Sequence, residues 1–572
     1  MADSQPTRYL FVDCPDPKKL KLDRSKGSKS HVRAHVTKEY HRRVRMERLQ
    51  AYKQKDPNAP PAPPGTTATL AGEELLPIRT NNASTSGNNT ELALIPTSTT
   101  PTTVAATPIQ SEEKRQEQQR DAIREMGSKF INSLLSQNRT DPFDCLSIPG
   151  LPRYSQRVLD FALHNTWPET VPTGGRALDN PINKVWLQTC LDHPVLMHAL
   201  LYAASLQMSL LSDGSDEGPE VEKIRFAHYS ETIKQVYRHI STLQGPPPDA
   251  LVLTVVALAV HGRPAKEPMV QCHPKSPLYR AQYLHIYGSM YLALEHLPAV
   301  MSLMERKGGL RGITTYGVAE TLQVADIYFA TLGCAKPHFS LLKVPTSYLA
   351  SGKIKLDPLA AALMSELLTG FRYLVPSTSG QDLHEALNWI RESTVAVDLF
   401  HRKAPGALAL YEFTPLINMT QYKTLMVNAT IMPANSEETS IVCIARLAAL
   451  IYNDMVIIPC PEVQQVKVRA AGFLRSALEY HFEQFDFRRH ARLLLWATMM
   501  GSIGTSFTPG QVWFLRRLQW QAWELGINDW PSLQSLCTKF LWWRPVCDEP
   551  GLRIWNEMVT QVSSTMMRRA SD

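Results

Sequence analysis

Residues 220–243 read EVEKIRFAHYSETIKQVYRHISTL. Within them Ile224, Ala227, His228, Ile233, Val236, Tyr237 and Ile240 recur at steps of three and four. That is the repeat of a helix turning one face to a core. Gly214-Ser215 breaks the pattern before it, and Pro246-Pro247-Pro248 stops it afterwards. The same repeat predicts helices over 194–211, 281–307, 318–334, 358–373, 440–456, 464–485 and 511–525, with Gly308-Gly309 and Pro509-Gly510 as breakers. Alternating strand patterns are rare. The expected fold class is therefore all-α, a multi-helix body.

Outward from that body, composition divides the chain. Residues 1–55 hold fifteen Lys/Arg against six Asp/Glu, a local charge of +9 in a chain whose total is +7. Residues 56–110 hold nine Pro, twelve Thr, one Arg, no Lys and no aromatic residue. Such a stretch cannot bury enough surface to offset its chain entropy and is expected to be a disordered tether. All eleven Trp lie at or beyond Trp167. The expected organisation is a basic arm over 1–55, a linker over 56–110 and the helical domain over 111–572. The segment 112–138 opens that domain with an amphipathic pattern through Ile123, Met126, Phe130, Ile131, Leu134 and Leu135.

Nine scattered Cys with no Cys-x-x-Cys pair argue against a disulfide framework and for buried, reduced thiols. The first residues, MADSQPTRYLFVDC, lack the apolar stretch of a signal peptide. The longest apolar run, 250–260, is too short to span a bilayer and reads as a buried helix. No membrane partner is expected.

The basic arm has a definite physical form. On a helical wheel Val32, Val36, Tyr40 and Val44 fall within an arc of about 120°. His31, His35, Lys38, Arg42 and Arg45 gather within roughly 80° on the far side. Three readings of the arm stay open: a solvated charged tail, a nuclear import signal, and direct contact with DNA phosphates. The import reading rests on Lys18-Lys19-x-Lys21 and Arg42-Arg43-x-Arg45. The candidate contact residues are Lys18, Lys19, Arg33, Lys38, Arg42, Arg43 and Arg45. Their role would be charge presentation. Pro57 and the tether follow where a leucine zipper would need heptads.

Sites of chemistry are not legible. One Cys in the first 144 residues cannot build a binuclear zinc cluster. His31 and His35 stand one helical turn apart, but only His41 and Cys14 are near them in sequence, so they read as polar-face residues rather than metal ligands. Phosphate-loop, dinucleotide, nucleophile-elbow and zincin motifs are all missing, and no enzyme activity, metal or cofactor is expected. Two constellations remain. Glu305-Arg306-Lys307-Gly308-Gly309-Leu310 reads as a helix stop, with a phosphate site as the alternative. Trp513, Arg516, Arg517, Trp520 and Trp523 share one predicted helix and read as a packed C-terminal subdomain, with stacking on a flat ligand as the alternative.

The order of several short motifs resembles a known class. They are Phe11-Val12 before the basic stretch, Arg33-x-His35-Val36, His41-Arg42-Arg43, Pro142-Phe143-Asp144 and Tyr154. The series continues through DHPVLMHALLYAASLQMSL at 192–210, Ala227-His228-Tyr229, residues 285–310, Asp326 and Pro337-His338-Phe339. Together they resemble fungal-specific transcription-factor-like proteins that lack the N-terminal binuclear zinc cluster. The resemblance covers most of the chain outside the tether and weakens beyond about residue 400. It implies an all-α regulatory domain, a nuclear location and a role in transcription, in some such proteins of a metabolic or secondary-metabolite pathway. Expected partners are transcription machinery or co-regulator proteins, DNA through the arm, and a second copy of the chain. Two other classes compete: a helical adaptor that does not bind DNA, and an all-α small-molecule receptor or enzyme. A closed apolar pocket with converging polar groups would favour the receptor class.

Overall fold

Periodic apolar residues become buried helices wherever a stop signal lets them end, and the result is an all-α body. The computed structural model describes residues 148, 151–173, 176–211, 219–264, 276–372, 374, 378–428, 436–460 and 465–571. All lie in the unit Asp121–Asp572. The basic arm, the tether and the amphipathic segment 112–138 lie outside the described residues.

The first group of helices is α1 (Arg153–Phe161), α2 (Trp167–Thr170), α3 (Pro181–Asp192), α4 (Pro194–Leu211), α5 (Pro219–Ser241) and α6 (Asp249–Val260). A π-helical turn, Ala162–Thr166, joins α1 to α2. Helix α4 ends where the sequence places it and packs against α1, α3, α5 and α6. Helix α3 is nucleated locally: Pro181 sits in its first turn and the Asn180 side chain accepts from the Ile182 amide at 3.1 Å. Helix α6 is apolar on every face and buried from Asp249 to Ala259.

The second group is α10 (Pro358–Glu366), α11 (Thr378–His401), α12 (Phe413–Met426), α13 (Glu437–Val456), α14 (Val466–Gln484), α15 (Ala491–Gly504), α16 (Gln511–Glu524), α17 (Trp530–Cys537) and α18 (Arg544–Ser571). At its centre α13 is buried without interruption from Ser440 to Val456 and touches α11, α12, α14 and α15. Ser436 caps it, accepting from the Thr439 amide at 3.2 Å, and Glu437 and Glu438 suit the positive end of its dipole. One apolar cluster extends from Leu278 to Met558. Helices α4 and α13 are long and apolar enough by composition to cross a bilayer, but 67% and 94% of their apolar windows are buried inside the body. Cys190, Cys334, Cys443, Cys460, Cys537 and Cys547 are buried and form no disulfide.

Between the groups run α7 (Leu284–Tyr287), α8 (Leu297–Lys307) and α9 (Val318–Gly333). The single helix expected over 281–307 does not form. Gln282 and Tyr283 take left-handed backbone angles, with φ of 52° and 55°. Beyond α7 the chain extends into β2 (Met290–Tyr291), antiparallel to β1 (Arg263–Pro264). The Ala293 amide bonds the Ala259 carbonyl of α6 at 2.9 Å. Gly262 permits this approach, since a Cβ there would strike the Tyr291 carbonyl. Likewise α10 stops at Glu366 rather than near 373, because the Leu368 and Gly370 amides bond the Phe540 and Lys539 carbonyls at 3.1 and 2.7 Å.

Helix α9 links the groups, packing on α6 on one side and on α12 and α14 on the other. Arg446 of α13 holds its C-terminal end. This residue is 3% exposed and makes no ion pair with a carboxylate among the described residues. It donates to the carbonyls of Cys334 at 3.0 Å, Thr424 at 3.1 Å and Leu425 at 3.3 Å. Those carbonyls close α9 and lie in the last turn of α12, where helix dipoles are negative. Burial holds the Arg446 pKa below its usual value.

We expect Arg446→Ala to lower unfolding stability by about 3 kcal/mol, because three buried carbonyls lose their donor. Arg446→Lys should recover part of that loss. Urea denaturation of the two variants beside the parent measures both.

Candidate functional site

Several walls of the body enclose a cavity of about 110 Å³ where α9 links the two helix groups. The first group supplies Trp167, Trp186 and Leu253, α9 supplies Val324 and Ile327, and the second group supplies Asn418. The lining is mostly apolar. It is somewhat smaller than the roughly 150 Å³ apolar cavities that accept benzene, so a compact molecule fits the ligand-free shape.

Local structure explains the walls. Trp167 and Trp186 meet as a tilted pair with centroids 5.8 Å apart. The Trp186 indole is fixed by donating to the Tyr316 carbonyl at 3.1 Å. The π turn before Trp167 is braced by Asn183, whose amide donates to the Leu163 carbonyl at 2.7 Å. The adjoining left-handed residues Gln282 and Tyr283 also line the cavity. Two successive non-glycine residues in this region cost about 1–2 kcal/mol each, and such strain concentrates at binding sites. The Gln282 amide donates to Asn418 Oδ1 at 2.9 Å, which holds the strained turn against α12.

Polar groups converge on one wall. His261 Nδ1–H donates to the Ala257 carbonyl at 2.9 Å, so Nε2 presents a lone pair. Burial pushes the His261 pKa down to about 4, and the ring is neutral. Gln207 Nε2 donates to that lone pair at 2.8 Å and to the Tyr287 hydroxyl at 3.1 Å. Burial pushes the Tyr287 phenol up to about 12. Both amide hydrogens of Gln207 are thereby used. Its Oε1 accepts nothing, although the residue is only 3% exposed. Native structures leave few buried oxygens in this state.

Glu169 stands at the mouth. The residue is exposed, yet nearby protein desolvates its carboxylate enough to raise its pKa. It has no hydrogen bond or ion pair among the described residues. Tyr283 feels both burial and the Glu169 charge, and its phenol pKa is raised. Among the described residues, no Lys or Arg lines the cavity.

A wider groove of about 1040 Å³ lies between α16, α17 and α18. It is open, and its polar groups largely satisfy one another. Gln511 pairs with Glu557 at 2.7 Å and Gln534 with Asp548 at 2.8 Å. The smaller cavity is the better candidate because its lining is mostly apolar and holds few polar groups.

Arg42, Arg43, Arg45, Lys18, Lys19, Arg33 and Lys38 lie outside the described residues, as do His31, His35, His41 and Cys14. Among the described residues no group of three metal-ligating side chains occurs. The Arg306-Lys307-Gly308-Gly309 stretch is a structural turn. Gly308 has φ of 79°, and its amide and that of Gly309 close a Schellman motif onto Glu305 and Met304 at 3.1 and 2.9 Å. Its cations are spent internally. Arg306 donates to the Leu243 and Gly245 carbonyls, and Lys307 lies 2.7 Å from Asp249 Oδ1.

The aromatic helix is α16, and the half-buried Arg517 packs over Phe482, Trp520 and Trp513 at 4.5, 5.3 and 5.6 Å. Ser155, His228 and His198 form a chain that sequence reading missed, with steps of 2.9 Å each. It has the outline of a nucleophile and base, but Ser155 is 1% exposed and out of reach of a substrate.

Comparison with protein-family models, with curated proteins and with solved structures finds no match to the chain.

Asp249 gives a pH prediction. Burial alone would raise its pKa, but hydrogen bonds from Lys307, Thr315 and Thr314 outweigh that and bring it down to about 2. A folded-state pKa below the unfolded value of 3.8 stabilises the protein above that pH, and the gain disappears as pH falls towards 2. The contribution is about 2 kcal/mol. Asp249→Asn should lower stability at pH 7 and flatten the loss between pH 4 and 2, read from urea midpoints across that range.

Proposed function

We propose that this chain is a nuclear transcriptional regulator of the zinc-cluster-lacking type it resembles, and that its helical body senses a small effector. The observation that carries the sensing role is the mostly apolar cavity at α9, lined by both helix groups and by the linking helix. A regulator needs a ligand to bias the packing of its parts. A cavity built jointly by two helix groups and their linking helix is placed to do so.

The nuclear and transcriptional part rests on the sequence. The +9 arm is suited to an import receptor or to phosphates, and the order of short motifs points to the regulatory class. An adaptor without an effector would have no use for an apolar cavity beside two strained residues. An enzyme reading has less support: the cavity holds a neutral His261 already engaged through both ring nitrogens, and among the described lining residues none is an activated nucleophile.

Two measurements test this function. Arg42→Ala, Arg43→Ala and Arg45→Ala together should move a fluorescent fusion from nucleus to cytoplasm; undiminished nuclear accumulation removes the import role. Ala204→Leu, directed into the cavity, should leave location unchanged and abolish condition-dependent changes in the transcript profile. A profile that still responds like the parent's would overturn the sensing role. Chromatin occupancy of the full chain beside one lacking residues 1–55 shows whether the arm carries DNA contact.

A further inference from the structure

Resting on the effector reading above, we propose that the cavity takes a compact, hydrocarbon-like molecule, no larger than a benzene ring and without a strong hydrogen-bonding group. Three features of the described walls lead there.

The first is where the polar ends point. Several lining side chains are polar by name, yet they spend their donors on the protein itself. Thr166, Thr170 and Thr321 donate to the carbonyls of Ala162, Trp167 and Gly317 at 3.4, 2.6 and 2.7 Å. Trp186 donates to the Tyr316 carbonyl at 3.1 Å and Gln282 to Asn418 Oδ1 at 2.9 Å. The surface left to the cavity is mostly apolar. A ligand ether, carbonyl or carboxylate gives up its water for that surface and loses affinity with each such group.

The second is size. The space of about 110 Å³ falls below the roughly 150 Å³ that holds benzene in an apolar cavity. The hydrogen bonds of Trp186 and Gln282 also pin the walls, so an oversized guest must displace packed structure at a cost. Tyr283 sets the upper limit. Its side chain lines the space, and its φ of 55° is one that glycine adopts freely. Tyr283→Gly therefore removes bulk and backbone strain together.

The third is the wall material. Leu200 of α4, Leu253 and Val256 of α6, and Val324 and Ile327 of α9 line the space together. What they offer a guest is burial of apolar area. For a molecule of about five or six carbons that burial gives a Kd of about 0.1–1 mM. The effector is accordingly a small apolar molecule that accumulates to that level.

Isothermal titration of the full chain with cyclopentane, tetrahydrofuran and toluene tests the assignment. Cyclopentane and tetrahydrofuran are rings of one size that differ by a single ether oxygen. Cyclopentane should bind, and tetrahydrofuran should bind about tenfold more weakly. Toluene overfills the space and should also bind about tenfold more weakly than cyclopentane. Tyr283→Gly should reverse the order of cyclopentane and toluene, and Ala204→Leu should abolish binding of both. Thermal melts establish that the variants fold; Tyr283→Gly carries the test if Ala204→Leu does not fold. Tetrahydrofuran that binds as tightly as cyclopentane overturns the hydrocarbon class. An unchanged order in Tyr283→Gly, or binding that survives Ala204→Leu, overturns this cavity as the place of binding. Absence of binding in water saturated with each hydrocarbon overturns the ligand class; the effector reading then stands if Ala204→Leu still abolishes the transcript response and falls if the response persists.

Discussion

A lone buried cation organises this body. Among the described residues Arg446 has no acid beside it, and its charge is met by the carbonyls that finish α9 and the last turn of α12. The arrangement replaces water at two helix ends with one side chain, and it sets those ends against α13. Around it runs a buried polar network. Gln421 donates to Thr331 Oγ1 at 3.0 Å, and Asn453 donates to Gln421 Oε1 and Thr424 Oγ1 at 3.0 and 3.2 Å. Polar contacts inside an apolar core are directional, so they select one register of α9, α12 and α13 where packing alone would accept several.

The cavity inherits its geometry from that register. Helices α9 and α12 leave the Arg446 junction and supply Val324, Ile327 and Asn418 to the cavity lining. The opposite wall stands on Asn180 and Asn183, which tie α3 to the turns around α2. Anything that alters the spacing between these walls is felt at both helix groups. In that sense the site and the interhelical joint are one object, as expected where a ligand must bias a packing equilibrium.

How much of this was legible depends on what each feature asks of the sequence. Helix α4 could be placed to the residue because Pro194 opens it and apolar residues recur along it to Leu211. The turn at Gly308-Gly309 could be read because glycine announces a positive φ. Gln282 and Tyr283 could not, since nothing in a glutamine or tyrosine signals a left-handed backbone, and the expected helix over 281–307 fails there. The cavity was illegible for another reason: Glu169 and Ile458 both line it, yet lie far apart in the chain. One clue was present. Gln207 interrupts an otherwise apolar helix, and a buried amide in such a place needs partners. The basic arm, plain in the sequence, falls outside the described residues.

Helix α13 has a consequence for how the protein is made. It is buried on all sides, and three of the helices that cover it (α14, α15 and α18) follow it in the chain. At roughly 5–20 residues per second of synthesis, the segment leaves the ribosome seconds before its cover exists. Over that interval a long, largely apolar rod is left exposed to water. The nascent polypeptide is therefore a natural client for holdase chaperones, and any stop codon upstream of α18 strands that rod permanently uncovered, destined for aggregation or proteolysis.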